Sequence, residues 1–264
     1  MMASLLAHRV TGNPSGPPVL LLNGGMMTMA AWERIAAPLE DSYRVVRCDL
    51  RGQLLSPGEP EPRLEAHVAD VIALLDFLQI DRIHAAGTSY GGLVALKFAA
   101  LRPGRAASVV AITTGELITP AFWEATTRVR DAALAAAAGG DGGRVLDLIF
   151  PATYSSAYLE ANAAVLAAHR RQTSLLPAIW FLGLARILSS LQGLDLTPGL
   201  PRIQCPALII AGERDEMFPL PHARALAENI PGARLEIVPG GSHGLVIEQP
   251  ERVVEILRGF LASL

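Results

Sequence analysis

The sequence predicts an α/β fold, in which a doubly wound and mostly parallel sheet carries an inserted helical cap. Short, continuous apolar runs alternate with segments of helical spacing along most of the chain. Continuous runs are typical of strands that are covered on both faces, and strand–helix alternation is typical of a parallel sheet. The alternation stops between residues 117 and 199, where only helical spacing is found.

Six apolar runs, each bounded by glycine, proline or charge, are predicted to be strands. They are Val19–Leu22, Arg44–Cys48, Arg82–Ala86, Ser108–Ile112, Ala207–Ala211 and Arg234–Val238. The segments predicted to be helices between and after them are Met29–Leu39, Leu64–Leu78, Gly91–Leu101, Leu220–Asn229 and Pro250–Leu261. This order predicts a core domain made of residues 1–116 and 200–264, with residues 117–199 as the helical cap insertion.

Composition narrows the class of protein. The 264 residues are 51% hydrophobic, which is enough for one large core with an insertion. The formal charge of −3 is nearly balanced and there is no basic run, so no nucleic-acid partner is expected. The two cysteines, Cys48 and Cys205, are predicted to be buried free thiols, because each lies beside an apolar run and they form no Cys-x-x-Cys pair.

No targeting or membrane segment is expected. The apolar patch within Met1–Val10 is too short for the core of a signal peptide. The most apolar later stretch, Leu175–Leu191, is interrupted by Pro177 and Arg186 and falls short of a membrane span. These features favour a cytoplasmic location with no membrane span, and leave the oligomeric state open.

A Gly-x-Ser-x-Gly motif provides the candidate nucleophile, Ser89. The predicted strand Arg82–Ala86 runs directly into Gly87-Thr88-Ser89-Tyr90-Gly91, and a helix pattern follows at once. A sharp turn there would hold Ser89 in a strained conformation, with glycines beside it because side chains would collide across the turn. The helix N-terminus would favour developing negative charge. The competing interpretation is an ordinary turn with an N-cap serine.

His243 is the candidate general base that a serine nucleophile needs. It lies in the glycine-rich loop 239–244, after the last predicted strand and before the last helix. Such a loop would place the imidazole over the carboxyl ends of the strands, where ligands bind in open α/β sheets. The other histidines fall inside a strand, on helical patterns, at a helix start or near the terminus, and structural roles are expected for them: His8, His67, His84, His169 and His222.

Asp215 is the candidate acid that would orient the histidine. It follows the predicted strand Ala207–Ala211 within Gly212-Glu213-Arg214-Asp215. Glu213 and Glu216 compete locally, and Glu116, after the preceding strand, is the other plausible acid. A helix cap or a salt bridge to Arg214 are structural alternatives for Asp215. The order Ser, Asp, His along the chain is that of the α/β-hydrolases.

Taken together, the motifs resemble the α/β-hydrolase superfamily, in its capped esterase- and lactonase-like branch. The resemblance covers nearly the whole chain outside the insertion, and it rests on segments 20–25, 49–52, 87–92, 212–215 and 241–243. It implies an oxyanion hole formed by two backbone N–H groups, those of Tyr90 and Gly25, with Met26 as the substitute for Gly25. It also implies that neither a metal nor an organic cofactor is needed, and the sequence contains no motif for one.

Two positions depart from the family pattern. Asn23-Gly24 stands where members usually carry His-Gly, and we expect Asn23 to hold the loop by hydrogen bonding. Leu54 replaces a glycine of the Asp-x-Arg-Gly-x-Gly-x-Ser pattern, so the loop around it is expected to take another path. The Asn-Gly and Gly-Gln pairs also occur in acyltransferase-like relatives, which keeps acyl transfer open.

The function predicted from the sequence is hydrolysis of a carboxylic ester, lactone or thioester with an apolar acyl part. The catalytic groups would be Ser89, His243 and Asp215, and a small-molecule acyl substrate would be the partner. The same three residues would also serve an acyltransferase or a hydrolase of carbon–carbon bonds. A third alternative is a ligand receptor with vestigial catalysis.

Overall fold

The computed structural model describes residues 5–264, which build a seven-stranded sheet with helices on both faces. The strands are β1 His8–Gly12, β2 Pro18–Leu22, β3 Arg44–Cys48, β4 Ile83–Thr88, β5 Ala106–Ile112, β6 Ala207–Gly212 and β7 Arg234–Val238. Their order across the sheet is β1-β3-β2-β4-β5-β6-β7; β1 pairs antiparallel with β3, and each other neighbouring pair is parallel. The predicted fold class is confirmed. The first four residues of the amino-terminal segment Met1–Val10 lie outside the described residues.

The helices follow the predicted order closely. They are α1 Glu33–Ala36, α2 Leu64–Phe77, α3 Tyr90–Leu101, α4 Pro120–Ala137, α5 Arg144–Thr153, α6 Ser156–Ala161, α7 Ala163–Thr173, α8 Ala178–Ser189, α9 Leu220–Asn229, α10 Leu245–Glu248 and α11 Pro250–Leu261, with 3₁₀ turns at Met29–Trp32, Ala37–Leu39 and Thr197–Arg202. The predicted single helix Met29–Leu39 is wrong in kind: it is a run of short 3₁₀ and α turns. Pro38, which has no amide hydrogen, lies in the last of these turns.

Strand β1 was missed by the sequence prediction. Its residues, His8–Gly12, are mostly half-buried or exposed, and it lies at the edge of the sheet. Val10 is its one aliphatic residue, so it has no apolar run by which it could be recognised. Only pairing with β3, residue His8 opposite Cys48, defines it as a strand.

The two faces of the sheet bury separate halves of the core. Alternate residues of one strand point to opposite faces, so Leu20 and Leu22 pack with α2 and α3, whereas Val19 and Leu21 pack with α1 and α11. Both sets are fully buried. This two-sided burial explains why the strands are continuously apolar in the sequence.

Along the chain, helices α4 to α8 all come after β5 and before β6. We call residues 117–199 the inserted segment. Within it the described residues form helices and one isolated bridge, Leu117 to Asp195. Helix α8 pairs with α4 and carries a largely buried run that includes Phe181, Leu184 and Ile187.

Candidate active site

Ser89 lies in the turn between β4 and α3, in a backbone conformation that L-residues rarely adopt. Its φ and ψ are 51° and −118°. The turn is held by the Ser89 N–H, which donates to the carbonyl of Ile112 on β5 at 2.8 Å. The strain expected from the Gly-x-Ser-x-Gly motif is therefore present, and it is maintained by the neighbouring strand.

Glycines 87 and 91 are required by the close approach of backbone to backbone. A Cβ on Gly87 would lie 2.1 Å from the carbonyl oxygen of Gly91, and a Cβ on Gly91 would lie 2.2 Å from that of Leu22. Neither neighbour can move without disrupting β2 or the turn. The predicted collision across the turn is confirmed for Gly87, whereas a side chain on Gly91 would collide with the end of β2.

Ser89, His243 and Asp215 come together at the carboxyl edge of the sheet. The Nε2 atom of His243 lies 3.0 Å from the Ser89 Oγ. On the other side of the ring, Nδ1 lies 3.0 and 3.2 Å from the two carboxylate oxygens of Asp215. With the Nδ1 hydrogen donated to Asp215, Nε2 is free to accept the hydroxyl proton of Ser89. His243 and Asp215 are both buried, at 6% and 4% exposure.

Asp215 is held by its own turn. Its Oδ1 accepts from the backbone N–H groups of Met217 and Phe218, each at 2.9 Å. These bonds fix the carboxylate in place. The ring of Phe218 also packs near His243, with 6.1 Å between the ring centroids.

The competing acids have other partners. Glu213 is exposed and accepts from the N–H of Gly240 at 2.8 Å, and Glu216 is exposed. Glu116 Oε2 lies 2.9 Å from Nδ1 of a different histidine, His222. Of the acids considered from the sequence, Asp215 is the one that contacts His243.

The remaining histidines lie where structural roles were expected. His84 contacts the Ser108 hydroxyl at 2.9 Å, and His8 contacts the carbonyl of Leu6 at 2.9 Å. His169 is exposed. His67 is fully buried on α2, and its ring meets the ring of Tyr90 edge to face, with 5.4 Å between centroids.

A buried polar network anchors the loop after β2. The Asn23 amide donates to Asp49 Oδ1 and to Gln53 Oε1, each at 3.0 Å, and Asn23 Oδ1 accepts from the indole of Trp32 at 2.9 Å. Asn23, Asp49 and Gln53 are at most 2% exposed. The expectation that Asn23 holds this loop is therefore confirmed. The part played by Gln53 was not predicted.

Gln53 also sets the direction of the peptide groups in this loop. Its Nε2 donates to the carbonyl oxygen of Gly24 at 2.7 Å and approaches that of Gly25 at 3.3 Å. In a trans peptide the N–H points opposite to the C=O, so the N–H groups of Gly25 and Met26 point away from Gln53. Tyr90 begins α3, where the first N–H groups have no acceptor within the helix. The Cβ position of Gly25 lies 3.8 Å from the Cβ of Tyr90.

The loop containing Leu54 is shaped by a glycine two residues earlier. Gly52 has a φ of +92°, and its backbone lies against Gly183 of α8, where a Cβ on Gly183 would lie 2.5 Å from the Gly52 oxygen. Leu54 has no positive φ and is 40% exposed. The loop thus places its left-handed residue at Gly52, and a side chain is tolerated at position 54.

The inserted segment contacts the core close to Ser89 at three further points. The Tyr90 phenol pairs with the hydroxyl of Ser190 at 2.8 Å. A Cβ on Gly25 would lie 3.8 Å from Ile187 on α8. The Gly244 N–H donates to the carbonyl of Thr153 at 2.6 Å. Burial raises the pKa of the Tyr90 phenol above its usual range, so this phenol is neutral.

Burial lowers the pKa of His67 to about 4; the negative charge of Asp70 opposes this shift, and the positive charge of Arg51 adds to it. In the unfolded chain this imidazole binds a proton near pH 6.5, whereas in the folded protein it does so only near pH 4. The contribution of the neutral imidazole to the free energy of unfolding is therefore complete above pH 6.5 and is lost as the pH falls toward 4. We expect the free energy of unfolding to fall by about 3 kcal/mol from this group between pH 7 and pH 4. Chemical denaturation of His67→Leu should show a smaller fall than the wild type.

His169→Leu is the matched control, because it removes an exposed histidine from another helix. It should follow the pH dependence of the wild type. An equal loss of stability in His67→Leu and wild type would contradict the buried neutral imidazole.

Among residues 5–264, no three His, Cys, Asp or Glu side chains are grouped so that they could hold a metal ion. In the same range, no helix combines the length and the apolar character that crossing a membrane requires.

Sequence and structure comparisons with known proteins both find hydrolases. A sequence model described as the alpha/beta hydrolase family matches residues 19–256. The chain is 30% identical to a pimeloyl-acyl-carrier-protein methyl ester esterase of Chromobacterium violaceum, over 94% of this chain and 95% of that protein. It is 28% identical to a 3-oxoadipate enol-lactonase of Acinetobacter baylyi, over 98% and 94%. The crystal structure of an enol-lactonase from Burkholderia xenovorans superposes with a TM-score of 0.86 at 28% identity, covering 97% of this chain and 96% of that one.

Proposed function

The chain belongs to the alpha/beta hydrolase family, and from this premise we propose that it is a serine hydrolase acting on a carboxylic ester, lactone or thioester. The observation that carries the proposal is the chain of contacts from Ser89 through His243 to Asp215, with 3.0 Å at each of the two shortest links. The esterase and the enol-lactonases similar to this chain support the same class of substrate.

The proposed reaction has two steps. His243 Nε2 takes the Ser89 proton as the hydroxyl oxygen attacks the carbonyl carbon, and the oxyanion is stabilised by the N–H groups of Gly25 and Tyr90. Each such donor is worth about 3 kcal/mol in the transition state. His243 then protonates the leaving group, and an acyl-enzyme remains. Water, activated by the same imidazole, releases the acid.

We propose further that residues 117–199 act as the cap of this site and favour an apolar acyl part. Ile187 approaches Gly25, and the ring of Phe122 packs 4.7 Å from that of Phe218, measured between centroids. Phe218 in turn lies beside His243. Apolar and aromatic groups around a few polar ones are typical of a site for small organic ligands.

The proposal is tested with a fluorophosphonate probe and a p-nitrophenyl acyl ester. We expect the wild type to be labelled at one site and to release a burst of nitrophenolate, because the acyl-enzyme accumulates. Ser89→Ala should be neither labelled nor show a burst. Turnover of a panel of acyl esters, lactones and acyl thioesters then shows which of the three substrate classes is preferred.

Absence of labelling in the folded wild type would overturn the proposal. Equal labelling of Ser89→Ala would place the nucleophile elsewhere in the chain.

A further inference from the structure

Glu248, at the end of α10, joins the loop that carries His243 to the inserted segment. Its Oε1 accepts from the Ser155 N–H at 2.9 Å and from the Ser242 hydroxyl at 2.5 Å. Its Oε2 accepts from the Ser155 hydroxyl at 2.6 Å. This carboxylate accepts three hydrogen bonds, and two of them come from Ser155, which lies 93 positions before Glu248 in the chain.

The residues on both sides of His243 take part in the same contacts. The Ser242 hydroxyl donates to Glu248 and accepts from the Gly244 N–H at 3.1 Å. The Gly244 N–H also donates to the carbonyl of Thr153 at 2.6 Å. The short segment 242–244 is therefore held at each end, and the inserted segment supplies partners at Thr153 and Ser155.

Tyr154, between those two partners, closes the space above the loop. A Cβ on Gly244 would lie 2.6 Å from the Tyr154 ring, so the ring rests directly on the backbone next to His243. Tyr154 also stacks on Tyr158 of α6, with 4.9 Å between ring centroids. The loop of His243 and this part of the inserted segment are packed as one unit.

The rate of catalysis depends strongly on the position of the general base. A displacement of about 1 Å in a catalytic group can lower the rate about 100-fold, because the reacting atoms no longer meet in line. Asp215 fixes the rotation of the imidazole through Nδ1, but it leaves the backbone of residues 242–244 to be held by other groups. The Glu248 carboxylate holds this segment through the Ser242 hydroxyl, and the Thr153 carbonyl holds it through the Gly244 N–H.

We propose that Glu248 is a positioning residue, which fixes His243 against the inserted segment so that proton transfer at Ser89 depends on how Thr153–Ser155 is seated. This proposal rests on the proposed function, since it concerns the base of that reaction. It gives the inserted segment a role in setting the geometry of the base, in addition to covering the site.

The test is the second-order rate of fluorophosphonate labelling in folded protein, well below the thermal midpoint of each variant. Glu248→Ala should be labelled to the same final extent as the wild type but about 100-fold more slowly. Glu248→Gln keeps one acceptor oxygen and should be intermediate. KM for an acyl ester should change little while kcat falls, because the lost contacts do not touch the substrate.

Ser155→Ala and Thr119→Ala form a matched pair. Each removes an N-cap hydroxyl, from α6 and α4 respectively, so the loss of a helix cap is common to both variants. Of these two residues, only Ser155 contacts Glu248. Only Ser155→Ala should therefore slow labelling, by roughly 3-fold to 10-fold, because one of the three hydrogen bonds to Glu248 is lost.

The outcomes separate the two proposals. Failure of the wild type to be labelled rejects the proposed function itself. Labelling of the wild type together with wild-type rates in folded Glu248→Ala or Glu248→Gln rejects the positioning role alone. If Glu248→Ala does not fold, Glu248→Gln and the serine–threonine pair decide, and equal labelling rates for Ser155→Ala and Thr119→Ala reject the proposal.

Discussion

Replacing Ser89 by glycine is expected to abolish ester cleavage and yet give a more stable protein than replacing it by alanine. Both variants lack the nucleophile, so kcat should fall about 10⁵-fold to 10⁶-fold. Ser89 has a φ of 51° and a ψ of −118°, a conformation that glycine adopts freely and alanine does not. We expect Ser89→Gly to exceed Ser89→Ala by about 1 kcal/mol in the free energy of unfolding, measured by chemical denaturation.

The sign of this difference is diagnostic. In an unstrained helix or strand, alanine is the more stable of the two by about 0.5–1 kcal/mol, because glycine loses more backbone entropy on folding. The two variants share the loss of the contact to His243 Nε2, so that contact cancels in the comparison. A more stable Ser89→Ala would mean that the turn stores no strain at this position.

Replacing Asp215 by asparagine is expected to lower kcat for an acyl ester about 10⁴-fold with little effect on folding. An asparagine oxygen can still accept from the N–H groups of Met217 and Phe218, so the turn should survive. The amide N–H₂ would face His243 Nδ1, however, and would favour the tautomer with its hydrogen on Nε2. That tautomer cannot take the proton of Ser89. Steady-state kinetics at neutral pH provide the measurement.

Two neighbouring acids supply the controls for this experiment. Glu213→Gln alters an exposed carboxylate that contacts the Gly240 N–H, and Glu116→Gln alters the partner of His222. Each is expected to keep kcat within about 10-fold of the wild type, because neither carboxylate contacts His243. An active Asp215→Asn combined with an inactive Glu116→Gln would reassign the acid to Glu116.

The elements recognised correctly from the sequence are those with a strong local signal. Strands β2 to β6 are mainly apolar because both of their faces are buried, and α9 and α11 have the predicted bounds. Strand β1 was missed because Val10 is its one aliphatic residue, whereas β7, at the other edge, contains Leu235, Ile237 and Val238 and has the predicted bounds. The run Met29–Leu39 has helical spacing, but it contains Pro38 and breaks into short turns.

In the candidate site, too, some residues could be identified from the sequence and others could not. Ser89, Asp215 and His243 could be selected because each lies in the turn or loop that follows a strand, and parallel strands bring their carboxyl ends to one edge. Gln53 and Glu248 could not be selected, since each lies in an irregular or short element and its partners are distant in the chain. The one sequence hint for Glu248 is its place five residues after His243.

By itself, the sequence determined which residue types stand at the ends of which strands, and hence the fold class and the three residues of the candidate site. Periodicity and turn glycines are local properties, so they can be interpreted along the chain. Only the tertiary structure decided that Glu116 pairs with His222, that Gln53 orients the loop after β2, and that Glu248 joins Ser155 to Ser242. Those pairings join residues that are far apart in the chain. They depend on how loops and helix ends pack over the sheet, and packing is a property of the folded molecule.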